Sequence, residues 1–363
     1  MLIYLNKTTR YLYSRFKDLN ILSKKEKIPE NKNNILCLKP FYFAEITTNG
    51  DVYTCCPGWI RFPIGNIKNK TIKEIWNGSR AIYIRKKIYN GEWQNICNQI
   101  CPIISQYIHD KKGISYDDLE LLNYLSPKLV EEIRSKKIIL ESLPTVFNFS
   151  NSTQCNLSCI MCSRKNQKND QDLILKAEKE VLSCISTIKR IVLTGMGEPF
   201  FRQDSKRLLF NNKNKEIVFD IITNGLLLNE YWDKIKNQRF GNLLISIDAA
   251  EKKVYEKIRK GGSWDTLQRS LNLVKDNKNH FESITLNMTV MRSNYTQIPD
   301  FIEMSKSYGF NVSFQRIRGS HANENFFITK DIDTINKLQK LINKEDKISK
   351  NIQIFWGDLF EYI

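Results

Sequence analysis

Histidine, proline and long apolar runs are scarce in this chain of 363 residues. It contains three histidines and nine prolines. Three histidines leave little material for a His-rich metal site or a His-centred catalytic triad. No apolar run approaches the roughly 18 to 20 residues that a membrane-spanning helix needs, and the first residues are too polar for a signal-peptide core. The sequence therefore predicts a cytoplasmic protein without a transmembrane segment.

The composition is that of a globular protein with an excess of positive charge. Hydrophobic residues make up 41% of the chain and charged residues 26%, and 56 basic against 39 acidic residues give a net charge of +17. Such a charge favours polyanions in general. However, the basic residues are scattered among acidic ones, and no known nucleic-acid-binding motif accompanies them. We therefore expect a lysine-rich surface and no specific binding of nucleic acid.

The nine cysteines form short clusters instead of well-spaced pairs. They stand at positions 37, 55, 56, 97, 101, 155, 159, 162 and 184. An odd count in tight spacings is more typical of metal ligands than of disulfides, because thiolates are the soft donors that iron and zinc select. The sequence thus predicts that the cysteines are the metal-binding residues of this protein.

The tightest cluster follows a predicted strand over residues 145–150. Cys155, Cys159 and Cys162 are separated by three and then two residues, so a loop can bring three thiolates to one metal centre. A fourth nearby cysteine is missing, which leaves one coordination position open, as a reactive centre requires. A three-cysteine zinc site with a remote fourth ligand is the alternative.

The spacing of these cysteines resembles the CxxxCxxC signature of the radical S-adenosylmethionine (SAM) superfamily. About 35 residues later, a predicted strand ends in Gly-Met-Gly-Glu-Pro, residues 195–199, which resembles the GGEP motif of the family. By this resemblance the three cysteines hold a 4Fe–4S cluster that binds SAM, and Glu198 accepts hydrogen bonds from the methionyl ammonium group. The resemblance also implies that Met161 packs on the adenine and that Arg259 pairs with the cofactor carboxylate, although a solvated side chain is the alternative for Arg259. The implied SAM-binding residues are Met161, Gly195, Gly197, Glu198, Pro199, Asn224, Ser246 and Arg259.

Strands and helices alternate from residue 145 to the end of the chain. Predicted strands cover residues 145–150, 190–194, 216–224, 241–248, 283–291, 310–318 and 351–356, and predicted helices cover 176–188, 231–238, 264–277, 297–308 and 331–342. Such alternation predicts an α/β fold with a parallel sheet, whose strand ends form the ligand-binding edge. The partial (β/α)6 barrel of the radical SAM family fits this pattern.

A second set of cysteines precedes the barrel. Two short predicted strands joined by Asn49-Gly50-Asp51 form a hairpin that brings Cys37 near Cys55, and Cys97 and Cys101 can complete four thiolates. This stretch resembles the SPASM module of the family, or its shorter twitch form, and implies one auxiliary 4Fe–4S cluster. The family usually carries the module after the barrel, whereas here it precedes it. Cys56 is the alternative to Cys55, and a four-cysteine zinc site is the alternative to the cluster.

The sequence predicts four parts, and local patterns predict where some of their helices begin. Thr71 and Glu74 are placed to form a capping box, Ser126 and Pro127 to begin a helix, and Cys184 reads as a buried small residue within a helix. The parts are a basic N-terminal segment (1–34), a hairpin and helix iron–sulfur module (35–105), a helical connector (106–144) and the barrel (145–363).

The resemblance implies an oxidoreductase-like radical SAM enzyme. One electron, expected from a flavodoxin or ferredoxin, cleaves SAM to methionine and a 5′-deoxyadenosyl radical, which abstracts a hydrogen atom from the substrate. We expect oxidation or another modification of a small molecule or sugar-type metabolite, because no leader-binding domain for a peptide is evident. A ribosomal-peptide maturase and a noncatalytic metal-binding module are the alternatives. Arg316, Arg318 and His321 are possible substrate contacts, and no catalytic base is identified.

Overall fold

The N-terminal part of the described chain is a hairpin with short helices. The computed structural model describes residues 34–98, 101, 103–104, 114–163, 167–194, 196–321, 323–345 and 352–362. This part comprises β1 (Asn34–Ile35), α1 (Lys39–Tyr42), β2 (Phe43–Thr47), β3 (Asp51–Tyr53), β4 (Gly65–Asn66), α2 (Ile72–Trp76), α3 (Ser79–Tyr89), β5 (Ile114–Ser115), a 3-10 helix (Tyr116–Leu121) and α4 (Pro127–Arg134).

Local signals in the sequence place the turns and helix starts of this part. Gly50 has a φ of +83° in the turn between the antiparallel strands β2 and β3, where a residue without Cβ is favoured. Thr71 and Glu74 form the predicted capping box at the start of α2. At α4, the Leu129 amide donates to Ser126 Oγ at 3.2 Å and Pro127 is the first helical residue. The predicted hairpin and both predicted helix starts are confirmed.

The rest of the chain alternates strands and helices, as predicted. The strands are β6 (Val146–Ser150), β7 (Arg190–Leu193), β8 (Val218–Thr223), β9 (Arg239–Ser246), β10 (Ser283–Val290), β11 (Asn311–Arg316) and β12 (Ile354–Phe355). The helices are α5 (Gln171–Leu182), α6 (Gln203–Phe210), α7 (Leu228–Ile235), α8 (Lys252–Ile258), α9 (Trp264–Asp276), α10 (Ile298–Tyr308) and α11 (Ile332–Glu345), with 3-10 helices at Lys278–His280, Tyr295–Gln297 and Gly357–Tyr362.

The barrel strands β6 to β12 pair in chain order, and every pair is parallel. The first six of these strands are each followed by at least one helix, which is the arrangement of a partial (β/α)6 barrel. In β6, Phe147 and Phe149 belong to the main hydrophobic core, whereas Asn148 and Ser150 point to the opposite face. That polar inner face continues around the barrel, where Ser313 Oγ donates to Asn287 Oδ1 at 2.8 Å. The fold thus presents polar side chains to its interior.

One ten-stranded sheet joins the N-terminal hairpin to the barrel. Strand β2 pairs in parallel with β6, from Phe43 opposite Val146 to Thr47 opposite Ser150. Trp76 also fixes this junction, because its indole N–H donates to the Ser142 carbonyl at 2.9 Å. The predicted boundaries between the four parts of the chain stay predictions. Of the basic N-terminal segment 1–34, only Asn34 belongs to the described residues.

Two local expectations need correction. Helix α5 ends at Leu182, because Ser183 closes it as the C-cap; Cys184 is buried as expected but lies in the following turn, not in a helix. The predicted helical connector is only partly helical, since β5 pairs there with β1; residues 106–113 lie outside the described part. No described helix combines the length and hydrophobicity required to cross a bilayer.

Candidate active site

The loop that carries Cys155, Cys159 and Cys162 follows directly on β6 at the carboxyl edge of the parallel strands. Residues 258–260, at the end of α8, brace this loop. The Ser158 amide donates to the Lys260 carbonyl at 2.9 Å, and the Ile160 amide donates to the Ile258 carbonyl at 3.0 Å. Because these two hydrogen bonds lie on either side of Cys159, they fix the backbone that carries its thiol.

The three thiols differ in accessibility. Cys155 is exposed, Cys162 is half-buried and Cys159 is buried. Protein atoms around the Cys155 sulfur nevertheless restrict its solvation and raise the pKa of the thiol to about 11. The Leu157 amide donates to the Cys155 sulfur at 3.4 Å, and Asn224 Nδ2 lies 3.9 Å from it. Donors of this kind favour the thiolate form that a metal requires.

The Gly-Met-Gly-Glu-Pro turn after β7 packs against the cysteine loop, backbone to backbone. A Cβ at Gly197 would lie 2.3 Å from the Gln154 carbonyl oxygen, so only glycine fits there. The next amide, of Glu198, donates to the same oxygen at 2.8 Å. The two motifs that the sequence separates by about 35 residues are therefore in direct contact. Gly195 lies outside the described residues.

The carboxylate of Glu198 is held firmly and is only 1% exposed. Its Oε1 accepts hydrogen bonds from Thr223 Oγ1 at 2.7 Å and from the Phe200 amide at 3.2 Å, and its Oε2 accepts one from the Asn224 amide at 2.7 Å. Burial raises its pKa above the usual value for a glutamate, against the lowering effect of these donors. Since a carboxylate offers about four acceptor positions, Oε2 retains one for a further donor.

Two more predicted residues extend the site along the strand ends. Asn224 follows β8, and its Nδ2 donates to Asn156 Oδ1 on the cysteine loop at 2.8 Å. Ser246 ends β9 in register with Asn287 on β10. Parallel strand ends meet at one edge of the sheet, which explains why residues far apart in the sequence converge here.

Arg259 lies behind the cysteine loop in an ion pair that the sequence does not indicate. Its Nη2 is 2.6 Å from Asp248 Oδ2, and both side chains are buried. Burial raises the pKa of the Cys159 thiol, and Arg259 is the largest influence that lowers it. Arg259 therefore acts electrostatically on a predicted ligand of the cluster.

A cavity of about 930 Å³ opens at this edge of the sheet. Its wall includes all the predicted residues of this site except Gly195 and Pro199, namely Cys155, Cys159, Cys162, Met161, Gly197, Glu198, Asn224, Ser246 and Arg259. The wall also includes Asn169, Lys206 and Tyr231, which sequence analysis misses. Asn169 accepts a hydrogen bond from the Thr153 amide at 2.8 Å, but no spacing or motif in the sequence indicates this contact.

The predicted auxiliary cysteines are also brought together. Cys97 forms an isolated antiparallel bridge with Ile60, and the Asn98 amide donates to the Trp59 carbonyl at 2.7 Å, which holds residues 97 and 98 against the turn after Cys55. Burial is the main cause of the raised pKa of Cys37, about 12, and Cys101 and Cys97 raise it further. Burial likewise raises the pKa of Cys55, with further contributions from Cys37 and Cys101. Such mutual effects require neighbouring sulfurs.

Cys56 is directed elsewhere. Its sulfur accepts a hydrogen bond from the Gly58 amide at 3.2 Å, within its own turn. Burial raises its pKa to about 11, and the acidic neighbour that adds to this effect is Glu45. Cys37 and Cys101 both raise the pKa of Cys55, whereas neither is among the influences on Cys56, and this difference favours Cys55 as a ligand. Among the described residues, no three His, Cys, Asp or Glu side chains are placed to hold a single metal ion.

The three suggested substrate contacts lie outside the cavity wall. Arg316 and Arg318 both pair with Asp358, each at 3.4 Å. The imidazole Nε2 of His321 is buried and makes no hydrogen bond within the described part of the chain. The structure therefore does not place these three side chains in the wall of the cavity.

Two family models match the chain in the regions that carry these cysteines. The radical SAM superfamily model matches residues 151–305, and the model of the iron–sulfur cluster-binding domain SPASM matches residues 37–102. Residues 151–305 of the chain therefore form a region that matches the radical SAM superfamily. The region that matches SPASM precedes the region that matches the radical SAM model, as predicted.

The similar proteins include curated enzymes and solved structures. A probable GTP 3′,8-cyclase of Methanocaldococcus jannaschii is 27% identical over 191 residues, which cover 51% of this chain and 59% of that protein. A GTP 3′,8-cyclase of Clostridium botulinum is 26% identical over 171 residues, or 44% of this chain and 52% of that protein. The matches thus span between half and three fifths of these relatives. The crystal structure of SuiB of Streptococcus suis superposes with a TM-score of 0.46 at 15% identity, covering 78% of this chain and 63% of that one.

The two domains imply the cofactors that the sequence predicts. A radical SAM domain implies SAM and a 4Fe–4S cluster, and a SPASM domain implies auxiliary iron–sulfur ligation. The donor types fit these groups, because three thiols border one large cavity, and Cys37, Cys55 and Cys97 each have a pKa raised in part by other thiols of the auxiliary set. Thiolates are the ligands that iron–sulfur clusters use.

Proposed function

We propose that this protein is a radical SAM enzyme that abstracts a hydrogen atom from a small-molecule or sugar-type substrate, for oxidation or another modification. Cys155, Cys159 and Cys162 are the proposed ligands of the 4Fe–4S cluster. The observation that carries the proposal is that these three thiols border the same cavity as Glu198 and Asn224. When bound, the cluster and SAM supply the radical chemistry; the chain supplies binding, orientation and exclusion of water.

Glu198 is the proposed receptor for the ammonium group of SAM. Its carboxylate is fixed by three donors and retains an acceptor position on Oε2. Burial of the carboxylate favours its neutral form, so a bound cation restores the ionised form and gains a charge-assisted hydrogen bond. Gly197 and Pro199 shape the turn that holds Glu198, and the same role is proposed for Gly195.

The remaining proposed contacts orient the cofactor and shield it. Asn224 and Ser246 offer polar groups at the ends of β8 and β9. Met161 contributes an apolar thioether, which can pack on an aromatic ring. Apolar residues of the cavity wall, including Leu157 and Phe200, limit the access of water to a reactive intermediate.

The auxiliary site is the proposed electron acceptor. Cys37, Cys55, Cys97 and Cys101 are its proposed ligands, and they are supported by the mutual effects on their pKa values. Ligation by four cysteines leaves no open position for a substrate, so this site serves electron uptake or structure. We further propose that flavodoxin or ferredoxin supplies the electron. The proposed compartment is the cytoplasm, which keeps thiols reduced.

The names of the matched relatives support the proposed substrate class. The matched curated relatives are named GTP 3′,8-cyclases, and GTP is a small molecule that contains a sugar. A nucleotide or another sugar-containing metabolite is therefore the class to test first.

The decisive experiment is anaerobic reconstitution followed by reduction in the presence of SAM. We expect about eight irons per chain from two four-iron clusters and formation of 5′-deoxyadenosine. Replacement of Cys159 by Ala should halve the iron content and abolish 5′-deoxyadenosine. The matched control is Cys184→Ala, a buried cysteine outside both sets, which should preserve both readouts. Zinc in place of iron, or reduced protein that releases no 5′-deoxyadenosine, would refute the proposed activity.

The substrate class is tested by deuterium transfer. Nucleotides and nucleotide sugars deuterated on the sugar are incubated with the reconstituted protein, and the 5′-deoxyadenosine is analysed by mass spectrometry. Deuterium in that product identifies the substrate and the abstracted position. Transfer from a deuterated peptide, and none from any sugar compound, would favour the maturase alternative.

A further inference from the structure

Arg259 and Asp248 form a buried ion pair immediately behind the predicted cluster loop. Arg259 Nη2 lies 2.6 Å from Asp248 Oδ2; Asp248 is fully buried and Arg259 is 8% exposed. Burial disfavours the charge of the guanidinium, but Asp248 offsets this and keeps the pKa of Arg259 above its usual value. Arg259 thus carries a permanent positive charge that already has a counter-ion.

Asp248 is itself held in a fixed orientation. Its backbone has a φ of +68°, which is uncommon for a residue other than glycine. The Thr289 amide donates to its Oδ1 at 2.6 Å, and Asn294 Nδ2 donates to its carbonyl oxygen at 2.8 Å. Strained residues persist where the surroundings determine them strongly, and they cluster at functional sites. Asp248 therefore acts as a rigid anchor for the arginine.

The arginine faces a predicted ligand of the cluster. Arg259 and Cys159 are both buried, and both line the cavity that Cys155 and Cys162 also line. The amides on either side of Cys159 are bound by the carbonyls on either side of Arg259, those of Ile258 and Lys260. The backbone therefore holds Arg259 opposite Cys159, and both residues border one cavity.

We propose that Arg259 is a positioning residue that holds a positive charge against the Cys159 ligand and sets the reduction potential of the cluster, instead of binding the carboxylate of SAM. This inference rests on the proposed function. Reduction adds one negative charge to a cluster, and a neighbouring guanidinium stabilises that charge. Groups that contact a ligand from outside tune the metal centre in this way.

Two substitutions should move the potential in opposite directions. Arg259→Gln removes the positive charge and leaves the carboxylate, so reduction becomes less favourable. Asp248→Asn leaves the arginine without its counter-ion, so reduction becomes more favourable. We expect at least a tenfold change in the reduction equilibrium in each case, which is about 59 mV for one electron. Arg259→Lys keeps the charge and should lie near the wild type.

The measurement is a redox titration of the reconstituted full-length protein without SAM. A separate sample with SAM first identifies the electron paramagnetic resonance signal that responds to the cofactor. The titration then follows this signal in the protein without SAM. The dissociation constant for SAM is measured in parallel by equilibrium dialysis. Arg292→Gln is the matched control. This substitution also removes a positive charge that is paired with an aspartate, Asp331, but at a site away from the cysteine loop. The cluster potential of this variant should equal that of the wild type.

The outcomes separate the two roles of Arg259. An unchanged potential in Arg259→Gln, with SAM binding weakened tenfold or more, would overturn the inference and assign the arginine to the cofactor carboxylate. If the Arg259→Gln variant retains no cluster, the test is the reduction potential of the Asp248→Asn variant. A potential above that of the wild type supports the inference, and an unchanged potential would overturn it. A wild-type protein without any SAM-responsive cluster would instead refute the proposed function and the inference with it.

Discussion

Replacing Gly197 by alanine tests whether the glycine-rich turn and the cysteine loop form one unit. The added Cβ would lie 2.3 Å from the Gln154 carbonyl oxygen and 2.9 Å from the Thr153 carbonyl carbon. Real Cβ contacts are essentially never shorter than 3.0 Å, so the two backbones must separate by at least about 0.7 Å. The obstacle is backbone on both sides, and no side chain can rotate away.

The expected magnitude follows from two effects. Overpacking of a tight contact costs roughly 1–3 kcal/mol. The separation also weakens the 2.8 Å hydrogen bond from the Glu198 amide to the Gln154 carbonyl, which is worth about 1 kcal/mol. Together they predict a loss of about 2–4 kcal/mol of unfolding free energy. For domains of 150–250 residues this corresponds to a decrease in Tm of about 4–16 °C.

The assay is thermal unfolding of the protein under anaerobic conditions, followed by circular dichroism, with iron content measured on the same samples. Because Gln154 precedes Cys155, we also expect the variant to retain less iron. Gly58→Ala is the matched control, since its Cβ would have an ordinary contact of 3.6 Å with Cys56 Sγ; it should change stability by less than about 0.5 kcal/mol. A Gly197→Ala protein with the Tm and iron content of the wild type would refute the proposed unit.

Three further substitutions test the N-terminal part of the chain. Cys55→Ser should lower the iron content by about four per chain, whereas Cys56→Ser should leave it unchanged, because Cys37 and Cys101 influence the pKa of Cys55 and not that of Cys56; the reverse result would make Cys56 the ligand. Glu45→Gln should reduce the dependence of Tm on pH. Burial raises the pKa of Glu45 above its usual value, so its contribution to stability is present at low pH and is lost as the pH rises through the folded pKa. The Tm of the Glu45→Gln variant minus that of the wild type should therefore be larger at pH 8 than at pH 5. An equal difference at both pH values would contradict this reasoning.

The sequence predicts best what depends on neighbouring residues. The capping box of Thr71 and Glu74 and the start of α4 at Pro127 need only three or four consecutive positions, and both are confirmed. The strands of the barrel are also found close to their predicted bounds, because apolar runs between turn signals are local patterns. The end of α5 at Leu182 is missed, since the amphipathic pattern continues beyond the residue at which the helix stops.

Contacts between distant parts of the chain leave no comparable trace. The pairing of β2 with β6 joins residues about a hundred positions apart, and nothing in either strand specifies the partner. Likewise, the ion pair of Arg259 with Asp248 depends on the unusual backbone conformation of Asp248. A single sequence shows a basic residue in a lysine-rich helix there, and only the fold shows the buried carboxylate beside it.

The pairing of β2 with β6 also explains how a module that precedes the barrel can serve it. Cys55 follows β3, which is antiparallel to β2, so it lies near the start of β2, whereas the cysteine loop lies beyond the end of β6. At about 3.3 Å per residue, the four steps from Phe43 to Thr47 separate these two levels by about 13 Å along the strands. Between them, the inner face carries Glu45, whose Oε1 accepts a hydrogen bond from Ser150 Oγ at 2.8 Å. The barrel interior therefore lies between the two sets of thiols, and this position follows from strand pairing and not from the order of the domains in the chain.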